Sequence, residues 1–536
     1  MLYYILASFG PLAQLAEQLT LNQWVKSSNL LGSTSWFVKQ YFGIAFFIFS
    51  FTCYLSYKMI KSRTVEDFFM NKNLVLDVNE SPSKLKDWFL FAIQHVLAML
   101  VACITVPLIT GLPIGPTLIA AGVGTLIYIF TTKKKSPVFL SSSFAYLVPM
   151  STALTFGVVT EGTRNYLAVI LGMIMVGIVY VVIALIIRKV GTNWLNKLLP
   201  PVVIGPIIMV IGLSLAGSAI NNVMGGTAGI SSYPSAEVPW QYTLVSIIVA
   251  LFACVLTAIC ATSKKKGVTL IPFVIGMIGA YLFAVVLTVI GNIAHLDFLK
   301  VINFEVFNRD WSNISSWITT DFMFINAIKN NAEFNLVTVG QVALLFIPVA
   351  LVTVCEHIGD HKNLGNIINK DLLNEEPGLT RTLIGDGVAT AVSGVICGAA
   401  NTTYGENVAV IGVSKNASVS VIVVAAFFSI ALGFFAPLTL LLQTVPACIT
   451  GGVSLILYGF IASSGVKMIV KENVDFNITK NIIVASVILV TGIGGLVLGF
   501  GGTSAGYIVS ISGTAVAMIL GIVINLTIKD HSLETE

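Results

Sequence analysis

Long apolar runs alternate with short polar or cationic stretches along most of the chain. A run of roughly 20 apolar residues is long enough to cross the hydrocarbon core of a bilayer as an α-helix. The pattern predicts about fourteen such segments. They lie at residues 88–110, 116–131, 138–155, 163–188, 198–218, 241–262, 269–293, 337–360, 380–398, 403–417, 418–437, 439–462, 480–499 and 506–528.

The composition supports a protein that crosses the membrane many times. Of the 536 residues, 56% are hydrophobic and only 10% are charged, and the mean hydropathy is +0.92. A soluble domain typically carries about 25% charged residues. We therefore predict an all-α, multi-pass protein of the lipid bilayer.

Cationic clusters predict how the chain is oriented. Short loops rich in Lys and Arg face the cytoplasm. Such clusters follow every second predicted span, which places all of them on one side. They are Lys133–Lys135, Arg188 and Lys189 with Lys197, Lys264–Lys266, Lys362 with Lys370, and Lys467 with Lys471, joined by Lys529 in the tail. We interpret them as orientation signals, so no nucleic-acid partner is expected.

The sequence carries no recognisable signature of an enzyme. The seven cysteines lie in apolar runs without the spacing of metal ligands. We find no phosphate-binding loop and no convincing pair of nucleophile and base. We therefore expect no catalysis, no metal and no cofactor, while a membrane enzyme is kept as the alternative from another class.

An internal repeat divides the apolar region into two halves. The matching pairs are Leu118–Thr125 with Leu383–Thr390, Ser141–Tyr146 with Asn401–Glu406, and Pro200 with Pro446. Seven spans per half is an odd number, so the two halves should run through the membrane in opposite directions. Inverted repeats with interrupted polar segments at matching positions are typical of a transporter with its site near the membrane midplane.

The first 69 residues lie outside this repeat. Residues 41–60 are apolar enough for one extra helix, and a secretory signal peptide is not expected there because the apolar run starts late. Met70 is a candidate for the true start of the protein. We expect residues 1–69 to be dispensable.

Two carboxylates lie inside apolar segments. Glu356 is in the run Cys355–Asp360, and Glu406 is in Asn401–Asn407, which reads Asn-Thr-Thr-Tyr-Gly-Glu-Asn. An ionisable residue at membrane depth is costly and by default marks a pathway for a substrate or a proton. Two such residues on separate segments predict one shared site.

The chain resembles the nucleobase:cation symporter 2 family, also called the nucleobase-ascorbate transporter family, on its uracil permease branch. The resemblance covers about residues 71–528. It is carried by Gln94–His95 with Ala98–Met99, Pro107, Ser142–Ala145, Glu356–Asp360, Asp371–Leu373 with Pro377–Leu379, Asn401–Asn407 and Gly451–Leu455. Of these, Asn401–Asn407 is the most specific match.

The resemblance implies which residues bind the substrate. Glu356 and Glu406 match the positions that hydrogen-bond uracil, and Phe144 matches the position whose backbone N–H meets a uracil carbonyl. Gly405 has no side chain, so a ligand can approach its backbone N–H closely. Tyr404 matches the aromatic residue beside the base. The purine branch typically carries Gln-Asn where this chain has Gly405–Glu406, which favours uracil.

The resemblance also bears on proton coupling. Asp360 lies one helical turn after Glu356 on the same face, at a position where some relatives have a histidine that is thought to assist coupling. Glu356, Asp360 and Asp386 are therefore the candidates for coupling. Asp360 and Asp386 also have purely structural interpretations. We expect His95 to be a packing histidine and His357 to be inert because it points away from the Glu356 face.

Two domains follow from the same resemblance. A core domain with two short mid-membrane strands would comprise residues 85–190 and 337–437. A gate domain would comprise residues 195–295 and 439–528. Residues 296–336 would form an extracytoplasmic loop and residues 529–536 a cytoplasmic tail.

The resulting hypothesis is a proton-coupled uracil importer of the bacterial plasma membrane. The core domain would move against the gate domain in an elevator-like manner, and a homodimer is compatible with this arrangement. A purine carrier, such as a xanthine permease, is the alternative within the family. An anion exchanger or channel is an alternative of another class, but it would favour a cationic site over two carboxylates.

Overall fold

A computed structural model describes residues 74–156, 164–225, 238–265, 268–269, 271–308, 311–319, 322, 336–503 and 506–528. The N-terminal extension at 1–69, the extra helix expected at 41–60, the candidate start Met70 and the tail at 529–536 lie outside these residues. Part of the loop expected at 296–336 also lies outside them.

The first half of the described chain is built from helices and one short strand. These are α1 (Leu85–Thr110), α2 (Ile114–Thr131), β1 (Leu140–Ser142), α3 (Leu147–Ala153), α4 (Tyr166–Val190), α5 (Asn193–Leu198), α6 (Pro201–Ser214), α7 (Ala216–Val223), α8 (Trp240–Ala261) and α9 (Pro272–Ala294). A single 3-10 turn at Phe144–Tyr146 joins β1 to α3.

The second half follows the same order and ends in a hairpin and a helix. Its elements are α10 (Leu336–Ile368), α11 (Gly378–Ile396), β2 (Asn401–Thr403), α12 (Gly405–Ser414), α13 (Val419–Phe434), α14 (Ala436–Gln443), α15 (Ala447–Lys471), α16 (Thr479–Ile493), β3 (Leu498–Thr503), β4 (Gly506–Ile511) and α17 (Gly513–Thr527).

The predicted spans correspond to these elements. Among the described residues, 8 helices are long and apolar enough to cross a membrane, with α6 and α7 counted as one, and α13, α16 and α17 are shorter apolar helices. The other predicted spans are α11 and two segments in which a strand leads into a short helix. Every predicted span therefore has a counterpart in the structure.

Several boundaries differ from the prediction for identifiable reasons. The spans expected at 138–155 and 403–417 are not continuous helices, because the chain enters each helix from a three-residue strand. The boundary expected at 439 is wrong: the chain breaks at Pro446, which caps α15, and α14 precedes the break. The span expected at 506–528 begins as strand β4, which pairs with β3 in a hairpin that the sequence did not predict.

The two short strands β1 and β2 pair with each other in the protein interior. The pairing is antiparallel, with Leu140 opposite Thr403, Ser141 opposite Thr402 and Ser142 opposite Asn401. All six residues are buried. Away from water, an unpaired backbone N–H or C=O costs several kcal/mol, roughly 2–7, so pairing is what makes an extended backbone tolerable there.

Repeat-related threonines satisfy further backbone groups of these strands. Thr125 on α2 accepts from the N–H of Leu140 at 3.0 Å, and Thr390 on α11 donates to the carbonyl of Asn401 at 2.7 Å. These threonines occupy the same position in the matching stretches 118–125 and 383–390. The internal repeat therefore provides the same kind of support for both strands.

The helices pack in two groups. The first group contains α1, α2, α4, α10, α11 and α13, in which α11 packs on both α4 and α2, α13 packs on α2 and α1, and α10 packs on α4. The second group contains α6, α7, α8, α9, α15, α16 and α17, in which α15 packs on α6, α7 and α8. We refer to them as the α11 group and the α15 group.

A glycine allows α2 and α13 to approach closely within the α11 group. A methyl group on Gly122 of α2 would lie 2.4 Å from the carbonyl oxygen of Ala426 on α13. That distance is far inside van der Waals contact, and a backbone oxygen cannot move aside alone. The side chain of Ser429 on α13 also donates to the carbonyl of Leu118 at 2.6 Å. The contact therefore requires glycine.

We predict that Gly122→Ala destabilises the protein, because overpacking at a close contact costs about 1–3 kcal/mol. Gly217→Ala is the matched control, since a methyl group on that exposed glycine of α7 meets nothing within 4 Å. The control should be neutral or slightly stabilising. Thermal unfolding of the purified variants in detergent measures both, and equal melting temperatures for the two would contradict the prediction.

Candidate functional site

The start of α12 presents backbone N–H groups beside an acid. The chain leaves β2 at Thr403, passes Tyr404 and enters α12 at Gly405. Gly405 is exposed and Glu406, in the first helical turn, is partly exposed. The first N–H groups of a helix lack partners within the helix, and the positive end of its dipole favours an acidic side chain there. The site is therefore open to a ligand.

Asp360 on α10 lies against this same junction. The hydroxyl of Thr403 donates to Oδ2 of Asp360 at 2.8 Å. A methyl group on Gly405 would lie 3.3 Å from Oδ1 of Asp360. Because α10 continues to Ile368, Asp360 is not at a helix end. Asp360 is therefore no helix-end acid, which was one structural interpretation of this residue, and its carboxylate faces the start of α12.

Glu356 lies one turn earlier on α10 and has an available oxygen. Its Oε2 is buried and accepts no hydrogen bond from the part of the chain that the structure describes. Its carboxylate interacts electrostatically with those of Asp360, Glu406 and Asp386. The structure thus gathers acids from three helices, and Glu356 keeps one acceptor for an additional N–H or O–H donor.

Two of the predicted binding residues are aromatic. Phe144 and Tyr404 are both buried. The hydroxyl of Tyr404 has no hydrogen-bond partner among the described residues, and it interacts electrostatically with Glu406 and Glu356. All five predicted binding residues therefore come from the β1–α3 and β2–α12 segments and from α10.

One aromatic residue near the site, Tyr458, was not predicted from the sequence. The ring of Tyr458 on α15 meets the ring of Phe144 edge-on, with centroids 5.4 Å apart. Tyr458 also interacts electrostatically with Tyr404. It belongs to the α15 group, whereas the other site residues lie on elements that pack with the α11 group. A tyrosine soon after the Gly451–Leu455 motif was the available signal, but an aromatic residue in an apolar run is ordinarily a packing residue.

Asp386 has a partner that the sequence did not predict. Its Oδ2 is 2.7 Å from Nδ1 of His357, and Nε2 of His357 is 3.0 Å from the hydroxyl of Thr382. Both side chains of the Asp386–His357 pair are essentially inaccessible to solvent. The expectation that His357 is inert is therefore wrong, because this side chain joins α10 to α11.

His361 connects the Asp386–His357 pair to α2. The ring of His361 stacks on that of His357 with centroids 4.0 Å apart. Nδ1 of His361 is 2.8 Å from the carbonyl of His357, so this nitrogen carries the proton and donates. Nε2 of His361 is 2.6 Å from the hydroxyl of Tyr128 on α2. Buried polar groups thus connect α10, α11 and α2.

His95 on α1 contacts the motif from another side. Its Nδ1 is 2.9 Å from Oδ1 of Asn407, and both residues are buried. This contact ties α1 to α12 and agrees with the expectation of a packing histidine. The described residues include no group of three or more His, Cys, Asp or Glu side chains arranged to hold a metal ion.

Comparisons with known proteins identify close relatives over most of the chain. A family model described as the Permease family matches residues 86–499. The uracil permease of Bacillus caldolyticus is 37% identical over 467 residues, which cover 87% of this chain and 97% of the relative. The uracil permease of Escherichia coli strain K12 is 32% identical over 454 residues, covering 85% and 94% respectively.

Solved structures with the same fold include two carriers. The transmembrane domain of the cyanobacterial bicarbonate transporter BicA has a TM-score of 0.50 at 13% identity and covers 84% of this chain and 99% of its own. The murine anion transporter Slc26a9 in the inward-facing state has a TM-score of 0.53 at 11% identity and covers 83% and 68%. At such identities the likeness shows the fold alone, and it confirms the two seven-span inverted repeats.

We predict that His357→Leu lowers the melting temperature of the purified protein strongly. The substitution leaves the Asp386 carboxylate buried without its partner, which typically costs about 3–5 kcal/mol. The double variant His357→Leu/Asp386→Leu removes both polar groups and should regain part of that stability. Thermal unfolding in detergent measures this cycle. If the two single effects add without coupling in the double variant, the pair does not act as a unit.

Proposed function

Because the chain belongs to the nucleobase:cation symporter 2 family of permeases, we propose that it imports uracil together with protons. It is a multi-pass protein of the bacterial membrane and its relatives are named permeases. The observation that carries the choice of substrate is the convergence of Glu356 and Glu406 beside the open start of α12. The names of the relatives support the same substrate.

Hydrogen-bond complementarity explains this choice. Uracil offers two ring N–H donors and two carbonyl acceptors. An ionised carboxylate only accepts hydrogen bonds, so Glu356 and Glu406 would accept from the two ring N–H groups. The backbone N–H groups near Gly405 and Phe144 would donate to the carbonyls. Gly405 has no side chain, which lets a planar ring approach its backbone closely.

The same chemistry separates uracil from the alternatives. A purine adds a second ring, which must displace packed atoms or leave buried polar groups unpaired, at about 1–3 kcal/mol for each such group. A nucleoside replaces one N–H by ribose and so loses a donor that a carboxylate requires. An anion would be repelled by the acids gathered at the site. The similarity of this fold to that of anion transporters is therefore no reason to propose an anion as the substrate.

Asp360 is the proposed carrier of the coupled proton. It lies beside the Glu356 carboxylate on one side and Gly405 on the other, so its charge is felt where uracil would bind. Protonation of a carboxyl there neutralises part of the acidic cluster and permits the loaded site to move. Asp386 is paired with His357. We propose that it holds α10 against α11 and contributes to coupling only indirectly.

The movement is proposed to occur between the two helix groups. The α11 group, with its strand–helix segments, would act as the core domain and carry the acids. The α15 group would act as the gate domain and contribute Tyr458. Sliding of one rigid group past the other, in an elevator-like manner, would expose the site alternately to each side of the membrane.

We predict that uptake of labelled uracil is inhibited strongly by uracil and 5-fluorouracil, weakly by xanthine and least by uridine. The discrimination against xanthine should be about ten- to a hundredfold, the equivalent of one unsatisfied buried group. The measurement is competition in a bacterial strain that lacks its own uracil uptake. Equal competition by xanthine would show that the substrate assignment is wrong even though the family is right.

Glu406→Gln should abolish high-affinity uracil binding without preventing membrane insertion. The substitution replaces an acceptor oxygen by an amide donor, and a hydrogen bond to a charged group contributes about 1.5–3 kcal/mol. Binding to purified, monodisperse protein measures the loss, which should be about ten- to a hundredfold. Ser151→Ala is the control, because that hydroxyl donates to the carbonyl of Leu147 within its own helix, α3. Near-normal binding by Glu406→Gln would refute the role of this carboxylate.

Asp360→Asn should separate binding from coupling. The amide keeps the shape of the side chain but cannot exchange a proton, so the variant should bind uracil yet fail to accumulate it against a gradient. Thr403→Val is the matched control, because it removes the hydrogen bond to Asp360 and leaves the titratable carboxyl in place. Uptake as a function of external pH, with and without an uncoupler, distinguishes the two. Accumulation by Asp360→Asn with unchanged pH dependence would rule out the coupling role.

A further inference from the structure

We propose that an ion pair between Lys362 and Glu472 is a latch that holds the two helix groups in one of their transport positions. Nζ of Lys362 on α10 is 3.2 Å from Oε1 of Glu472, which directly follows α15. The pair therefore joins the α11 group to the α15 group. This inference rests on the proposed movement between the groups.

The latch lies where the two groups are already in tight contact. One turn before Lys362, a methyl group on Gly359 would lie 2.9 Å from Cε of Met468 and 3.2 Å from Cδ1 of Ile208. Met468 is on α15 and Ile208 is on α6, so both belong to the α15 group. The boundary between the groups therefore passes between Gly359 and Met468, and the Lys362–Glu472 ion pair lies at the polar edge of this boundary.

The pair is positioned to respond to sliding. Its two side chains are 26% and 32% exposed, so solvent reaches them and can replace the bond when it breaks. A displacement of one helical turn, about 5.4 Å, would carry Lys362 out of hydrogen-bond range of Glu472. Lys362 is also only two residues from Asp360. A movement of α10 that carries the proposed proton site must therefore carry the latch with it.

The surrounding charges make Glu472 the more important partner. Lys471 on α15 interacts electrostatically with Glu472 and also with the two cations Lys467 and Lys362. Removing Glu472 leaves Lys362 facing the cations of α15 across the boundary, which pushes the groups apart. Removing Lys362 leaves Glu472 with Lys471 still beside it. Glu472→Gln should therefore disturb the latched position more than Lys362→Gln.

A second ion pair provides a matched control within one group. Glu376, which precedes α11, contacts Lys133 at 3.3 Å and also Lys135, and both lysines lie just after α2. Hydrogen bonds from Lys135 and Lys133 lower the pKa of the Glu376 carboxyl below its usual value. Both partners belong to the α11 group and should move together. Glu376→Gln should therefore leave transport unchanged.

Charge substitutions test whether the pair links the groups. Initial rates of uracil uptake are compared for Glu472→Gln, Lys362→Gln, the swap Lys362→Glu/Glu472→Lys and the control Glu376→Gln. For a partly exposed ion pair the expected change is about two- to fivefold in rate or KM, larger for Glu472→Gln, with the swap closer to the unsubstituted protein than either single variant. A swap no better than the sum of the single variants overturns the latch.

Cross-linking tests whether the pair must separate during transport. Lys362→Cys/Glu472→Cys, treated with a short cleavable thiol cross-linker, should lose uptake and regain it on reduction, whereas a Lys133→Cys/Glu376→Cys pair treated alike should keep it. Unimpaired uptake by the cross-linked protein overturns the latch. The thermal stability of the Lys362 and Glu472 variants and of the swap is also measured without substrate. If the two substitutions show no energetic coupling in that measurement, the latch is overturned. Failure of the unsubstituted protein to take up uracil would instead refute the proposed function.

Discussion

The pairing of β1 with β2 is the constraint on which the rest of the structure depends. An extended backbone has no internal hydrogen bonds, and in an apolar interior its N–H and C=O groups must find partners elsewhere. Each strand supplies partners for the other, and Thr125 and Thr390 supply more. Once the strands are fixed, the start of α12 is fixed as well. A helix beginning in the protein interior leaves N–H groups free for a ligand.

The acids differ in their partners, although Oδ1 of Asp386, like Oε2 of Glu356, has no hydrogen-bond partner among the described residues. Asp386 is paired with His357, and this pair belongs to a buried network that reaches Tyr128 on α2. The hydrogen bonds of this network hold α10, α11 and α2 together. Glu356 keeps an acceptor without a partner among the described residues. An unpartnered acceptor costs free energy in the absence of ligand, and a donor brought by a ligand would recover it. The His357 side chain, which joins α10 to α11, and the Glu356 oxygen without a partner therefore lie on different faces of α10.

Much of the fold was predictable because apolar length and internal repetition are properties of the sequence itself. The repeat puts Thr125 and Thr390 in equivalent positions, and a specific motif marks Gly405 and Glu406. The contacts of His357 were not predictable, because they depend on which face of α10 meets α11. Tyr458 was missed for a related reason, since it approaches Phe144 from the α15 group. The β3–β4 hairpin was missed because its strand residues read as the end of one apolar span and the beginning of the next.

The surroundings of Asp360 suit an ionised carboxylate. Such a group only accepts hydrogen bonds and therefore needs donors beside it. Here the hydroxyl of Thr403 donates to Asp360, and the start of α12 lies against its other oxygen. Helix dipoles favour negative charge at that position. Strand β2, which positions the start of α12, thus also stabilises Asp360. The same strand therefore supports both the proposed binding site and the proposed proton site.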